Sequence, residues 1–468
     1  MKKTVLITIL LVLATMFCFA DELDVDFSMD AETKLGLRAP WTDPVVYDGR
    51  FTLADTSVTS KLGVYYGDFS AFTEFTYSYC HADSLSSLFK KNNNDETPDS
   101  DGRTFSMNEF WADYSSSFWG IRVGRQKAAW GKADGIDITN VLCPSDMSSF
   151  AAMTSDNSKL GIDAVRLSFN GDSFTADAWW IPVFTPSALP LDESNHLRKL
   201  LVPQSVDFPI PMLNTVLKLP VKIGELEKPE KKIQNGEFGL KLSGYFSMLD
   251  VSLYGFYGWD DIPLLNYGIT FGQPQFPFPA MPNGLEVSGK YERMAMLGAD
   301  AALPIGETVI RMEAAFFPKR HFQKEAESIL SGSSNFSEQR NELSALIGID
   351  WMPNGWTFTA QYFCDYVAGK LDSIERTDKY THGATFSVSK TFLDETLEAS
   401  FSGVINFDAF DTMFAPSVKY SVSDQLSVSG GAYIFLGGPH TADQPRCDGQ
   451  YGKYRDLSTF YISAKFSM

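Results

Sequence analysis

The feature that most constrains this chain is a series of alternating segments whose connections switch between short and long. Hydrophobic and polar residues alternate with period two, which marks strands with two unlike faces. The segments run over about 23–37, 52–66, 69–79, 105–114, 118–125, 160–169, 174–183, 238–246, 251–259, 294–303, 308–317, 343–351, 356–366, 384–392, 397–407, 414–422, 426–436 and 457–468. Within pairs the connections are tight, as at Gly67-Asp68, Asn170-Gly171-Asp172 and Pro353-Asn354-Gly355. Between pairs they are long. An even number of antiparallel strands with short turns at one end and long loops at the other is the pattern of a membrane barrel, where closure leaves no backbone group unpaired in lipid.

The expected fold is therefore all-β: one closed antiparallel transmembrane β-barrel of about eighteen strands over 21–468. Sixteen strands is the runner-up, because Pro416 falls where a ladder N–H is needed. A soluble sandwich or propeller competes, but no repeat period supports it. With 37 Phe, 19 Tyr and 9 Trp, the chain is rich in aromatics yet has no 18-residue apolar run after its first twenty residues. That disfavours helical spans and suits aromatic girdles. Trp111, Trp119, Trp130, Trp179, Trp180, Trp259, Trp351 and Trp356 lie at or near expected strand ends, where such girdles form.

Residues 1–20 read as a removed signal peptide: Lys2 and Lys3, an apolar stretch from Val5 to Phe17, and a small-x-small site ending at Ala20. Losing the two lysines takes the formal charge from −19 to −21, which speaks against nucleic acid as a partner. The remaining cysteines, Cys80, Cys143, Cys364 and Cys447, show no metal or redox spacing. A Cys143–Cys447 disulfide is one option, since both fall in loops expected on one side.

The apolar face of each strand should meet lipid and the other face water. By this rule Arg122, Arg166, Lys241, Asp300, Arg311, Glu313 and Asp350 point into the lumen, as do Glu74, Asp177, Glu398, Lys419 and Lys465. A basic charge at mid-membrane on the lipid face would cost about 2–4 kcal/mol, so one strand register is strongly favoured.

Two loops stand out. Residues 185–236 form a long, Pro-rich external loop with a short helix expected near 213–219. Residues 126–158 follow the fifth strand, which runs out through Gly124-Arg125-Gln126, and carry Trp130-Gly131, Asp134-Gly135, and Pro144 with Asp146. Glycines there allow close approach or positive φ, and Asp134, Asp137 and Asp146 can cap local amides. This loop is expected to fold inward and form the constriction. The run from Val123 to Asp146 resembles a porin-like family of outer-membrane barrels, with a GRQ strand end, a Trp-Gly pair and a downstream VLxPxD in which Cys143 takes the variable place. The resemblance implies a barrel in an outer membrane.

On the final strand, Phe460, Ile462, Ala464, Phe466 and Met468 share one face. This resembles the C-terminal assembly signal of outer-membrane barrels and implies the barrel-assembly machinery as a partner, with outer-membrane lipid around the barrel.

The function expected is a porin-like channel for passive diffusion of small hydrophilic solutes in the outer membrane of a diderm bacterium. No nucleophile constellation or metal motif points to an enzyme or a cofactor. The alternatives are an adhesin or structural barrel binding host or matrix proteins through its long loops, and a transporter of hydrophobic compounds. The pattern is compatible with a homo-oligomer. The charge predicts cation preference. The eyelet is expected to set the acidic loop (Asp134, Asp137, Asp146) against a basic wall (Arg122, Arg166, Lys241), with Asp300, Arg311, Glu313 and Asp350 further round.

Overall fold

The computed structural model describes residues 23–42, 51–81, 102–155, 158–191, 197–198, 202–210, 215–274, 280–331, 335–376, 378–437 and 449–468. The leader, Cys447 and the segment 82–101 lie outside the described residues. In chain order the strands are β1 (Asp24–Arg38), β2 (Phe51–Tyr66), β3 (Phe69–Cys80), β4 (Gly102–Ser115), β5 (Trp119–Gln126), β6 (Ile162–Asn170), β7 (Phe174–Ile181), β8 (Ser205–Ile210), β9 (Thr215–Glu227), β10 (Glu237–Phe246), β11 (Leu249–Trp259), β12 (Leu264–Phe271), β13 (Pro282–Lys290), β14 (Arg293–Ile305), β15 (Thr308–Gln323), β16 (Ser337–Trp351), β17 (Trp356–Val367), β18 (Tyr380–Phe392), β19 (Leu397–Asn406), β20 (Asp411–Ser421), β21 (Leu426–Leu436) and β22 (Thr459–Ser467). Two short helices, α1 (Phe150–Met153) and α2 (Ala326–Leu330), sit in loops.

Eighteen strands form one closed antiparallel barrel: β1 to β7, β10, β11 and β14 to β22. Closure is made by β22 on β1, with Asp30 opposite Ser467 and Arg38 opposite Thr459. The sixteen-strand alternative falls away. Pro416 stands inside β20 opposite Phe401 of β19. Toward β21 the pairing breaks off after Phe414 and resumes at Ser417, so the missing N–H falls in the gap. At the turn after β16, Asn354 and Gly355 both take positive φ (49° and 77°), as the tight right-twisting hairpin connection demands.

The faces segregate as lipid and water require. Leu297 on the outer face is 63% exposed, as is Ile462. On the inner face Asp300 and Glu313 are 4% and 3% exposed, covered from within the barrel. Trp119, Trp351 and Trp356 sit among the outward, exposed aromatics. Trp111, Trp130 and Trp179 depart from the girdle expectation and turn inward, where Trp111 carries the Arg122 guanidinium at 3.6 Å and the other two join an internal core.

Outside the barrel stands a second sheet of four strands in the order β12-β13-β9-β8. It unites the loop before β10 with the loop after β11. Its central pair, β9 and β13, is parallel, with Leu285 opposite Val221. The helix expected near 213–219 is not formed: Thr215–Glu227 is β9. The segment 319–339, which falls between expected strands, is strand at both ends (319–323 and 337–339) with α2 between them, because β15 and β16 continue as a hairpin past a bulge between Phe317 and Arg320.

Candidate functional site

The segment after β5 folds into the lumen. Gly124 (φ 131°) lies so close to β4 that a Cβ would run into the Phe110 carbonyl oxygen, a position only glycine tolerates. Arg125 faces outward and forms a two-pronged pair with Asp163 at 2.9 and 3.0 Å. Gln126 is buried and donates to the Ala164 carbonyl at 3.0 Å. Trp130 then drops against the wall, its ring 5.1 Å from that of Tyr254 and packed over Gly239. Ile138, Leu142 and Cys143 bury beside it, against Ile162, Met296 and Phe317 of the wall.

Polar anchoring centres on Glu313. One carboxylate oxygen accepts from the amides of Lys132 (2.6 Å) and Ala133 (2.9 Å). The other accepts from the Thr139 amide (2.8 Å) and hydroxyl (2.7 Å). Gly131 (φ 89°) must be glycine, because a side chain would strike this carboxylate. Its amide donates to the Tyr254 hydroxyl at 3.1 Å, and that hydroxyl donates onward to Asp300. Arg311 donates to the Lys132 carbonyl (2.7 Å), to Asp134 (2.5 Å) and to Asp350 (2.6 Å). Gln361 accepts from the Asp134 amide (3.0 Å) and donates to its carbonyl (2.9 Å). Charge-assisted bonds of this kind are each worth about 1.5–3 kcal/mol. The lip of the loop is Asp134, 62% exposed, and Gly135 (φ 71°), where a side chain would meet open space.

The loop also reaches the opposite wall. Pro144 accepts from the Leu160 amide at 2.8 Å, and Asp137 pairs with Lys159 at 2.5 Å. Beyond them Ser149 caps α1 by accepting from the Ala152 amide at 3.1 Å. Phe150 of α1 packs on Tyr433 and Phe435 of β21, in a cluster with Leu53 of β2 and Leu457. In the barrel order β2 is second and β15 eleventh of eighteen, so these two docking walls lie half a circumference apart.

The eyelet expected from the sequence is rearranged. Arg122 and Arg166 are cross-strand neighbours, but each is satisfied on the wall: Arg122 by Asp113 at 2.9 Å and Arg166 by Asp177 at 2.8 Å. A partner one strand away is nearer than a loop across the lumen. Lys241 stands 5.6 Å from the Tyr254 ring. Asp146 accepts from the Ser148 amide and hydroxyl. The acidic loop thus docks on the acidic arc through its amides, not on the basic arc through its carboxylates. Asp300 and Glu313 lie beneath it and do not border open lumen. Tyr254, Gln361 and α1 escaped the sequence reading, although Tyr254 and Gln361 share the inward parity of their strands.

The optional partner of Cys143, Cys447, lies outside the described residues. Cys143 is a buried free thiol whose Sγ accepts from the Ala128 amide at 3.2 Å, and burial pushes it up to about 11. Near the mouth, Ser145 donates its amide to Ser187 (3.0 Å), whose hydroxyl donates to Asp261 (2.5 Å). Burial holds the Asp261 carboxyl above the usual range.

Among solved structures, OccAB3 of Acinetobacter baumannii is similar with a TM-score of 0.51 at 7% identity, over 95% of this chain and 99% of that one. OpdK of Pseudomonas aeruginosa, solved with vanillate, gives 0.48 at 7%, over 95% and 98%. The outer membrane channel DcaP of A. baumannii gives 0.42 at 9%, over 96% and 99%. At such identities the likeness to OccAB3 speaks for the fold alone. No curated protein matches the chain. The model of the family described as "Protein of unknown function (DUF1302)" matches residues 46–467, and the chain belongs to that family.

Proposed function

We propose that the protein is an outer-membrane channel through which small hydrophilic solutes diffuse passively. The observation that carries this reading is the combination of a closed barrel, apolar outside and polar inside, with a loop packed within its lumen rather than over it. A closed structural barrel has no need of a polar interior, and a carrier of hydrophobic compounds would present an apolar one. The same reading makes outer-membrane lipid its surroundings and the barrel-assembly machinery its route there, and its chemistry needs no cofactor. The formal charge favours cations over anions, with the loop carboxylates screened over about 8 Å at physiological salt. A second reading, surface attachment, draws on the external four-stranded sheet, which offers a folded platform outside the mouth.

Planar-bilayer recording of the purified mature protein tests the proposal. Discrete steps of ohmic conductance are expected, with a reversal potential on the cation side. A protein that inserts but never conducts would leave surface attachment as the better reading.

A further inference from the structure

The inner wall divides into two chemically different arcs. From β4 to β16 it is charged: Asp113, Arg122, Arg166, Asp177, Lys241, Arg311 and their partners. On β18 the inward positions are mostly hydroxyls, β19 adds Ser400 and Ser402, and β20 adds Ser417 beside Met413 and Ala415. Thr385, Ser387 and Ser389 of β18 face Val404, Ser402 and Ser400 of β19 in register, and Ser400 faces Ser417 of β20. The inward charges on this arc, Glu398 and Lys419, are cross-strand neighbours of opposite sign. Neither internal apolar cluster takes a residue from β18 or β19, and from β20 only Met413 packs against one, so the loop leaves the β18–β19 wall uncovered. The loop's lip does border this arc: Gln361, which clasps Asp134, also donates to Thr385 at 2.8 Å.

We infer that this arc and the lip form the passage, and that it selects uncharged polyhydroxylated solutes of sugar size. The inference rests on the channel reading above. A water-filled lumen demands polarity, which charges supply as well as hydroxyls, and the wall from β4 to β16 uses charges. A hydroxyl both donates and accepts. When two hydroxyls pair, as Ser400 and Ser417 do at 2.6 Å, one hydrogen is spent between them and the other stays free beside unused lone pairs. Such a row can exchange hydrogen bonds with a polyol step by step, in either sense, without desolvating a charge. The lip adds carboxylate acceptors at Asp134 and Asp137, already neutralised by Arg311 and Lys159. A carboxylate solute meets Lys419 on this side only next to Glu398, and the arginines Arg122, Arg166 and Arg311 across the lumen are each held by an aspartate.

Proteoliposome swelling tests it, with glucose, gluconate and lysine as permeants and potassium chloride conductance measured on the same preparations. Glucose is expected to enter faster than gluconate. The Ser400→Val, Ser417→Val double variant is expected to lower the ratio of glucose entry to potassium chloride conductance by about threefold or more, the factor that one lost hydrogen bond is worth. If that variant loses the heat-modifiable gel migration of a folded barrel, Ser400→Ala with Ser417→Ala is measured the same way. Equal entry of glucose and gluconate, or an unchanged ratio of glucose entry to conductance in a folded variant, overturns the inference and leaves the channel standing. A wild-type protein that neither conducts nor swells removes the channel reading and this inference together.

Discussion

Thr139 is tied twice to Glu313: its amide and its hydroxyl both donate to the same carboxylate oxygen, at 2.8 and 2.7 Å. The other oxygen serves two more loop amides. One buried side chain therefore fixes the position of about ten residues of loop. Glu313→Ala should leave those donors unpaired and cost several kcal/mol of docking, at about 1–3 kcal/mol for each buried group left unsatisfied. Bilayer recordings of this variant are expected to show larger and noisier conductance. Steady traces of wild-type size would mean that the apolar contacts of Trp130, Ile138 and Leu142 hold the loop alone.

Cys143 reports on the same docking. It is buried, and its thiol is pushed up to about 11. The acid form is favoured in the docked loop, so the reactive thiolate is scarce at every pH below that value. A polar maleimide at pH 7.5 should leave Cys143 unlabelled in the wild type and label it in Glu313→Ala. Mass spectrometry of the tryptic peptide separates the two outcomes.

Arg122 and Arg166 balance Asp113 and Asp177 on the wall. Replacing both arginines with alanine removes two positive charges and frees two carboxylates within the lumen. Conductance should rise and the reversal potential move further toward cation preference, with the effect shrinking as salt is raised. An unshifted reversal potential at low salt would place this stretch away from the ion path.

Asp261 links the mouth to the lumen loop through Ser187 and Ser145. Burial, helped by the neighbouring Asp260, raises its pKa, while Lys159 and Arg320 pull the other way. A raised acid binds its proton more tightly in the latched state. The contribution is therefore fully present below the ordinary value near 3.8 and is lost as pH rises through the raised one. Amide exchange around Ser145 and Ser187, corrected for its intrinsic pH dependence, should quicken as pH climbs through that window, and Asp261→Asn should flatten the trend.

Gly124 tests the backbone itself. With φ at 131° and the Phe110 carbonyl against it, Gly124→Ala has no unstrained conformation and should cost at least about 1–3 kcal/mol. The measurement is the temperature at which the barrel loses its heat-modifiable gel migration.

Every barrel strand was legible because lipid and water act on alternate residues, and that period survives in the sequence whatever the neighbours are. Strand β9 was not, although Leu217, Leu219, Val221 and Ile223 alternate with Lys218, Pro220 and Lys222. Pro220 masked the pattern, and one of the two partners of β9, β13, comes from another loop. The inward fold of the segment after β5 could be expected from its glycines, but the wall it docks on could not. Its contacts with Glu313 and Gln361 run through loop amides, which every residue except proline carries and no side chain announces. Arg122 and Arg166 illustrate the converse. Their inward direction followed from parity, while their partners Asp113 and Asp177 depended on which strands become neighbours.

The parallel pair β9–β13 has an unusual crossover. Between these two strands the chain runs through β10 and β11, so the connection between two external strands passes down through the wall of the barrel and back. Once the sheet has formed, that hairpin is stapled from outside. Under mechanical load toward the end of the barrel away from this sheet, β10 and β11 leave only after β9 and β13 have unzipped, which makes the second sheet a brace for the stretch of wall that carries Tyr254.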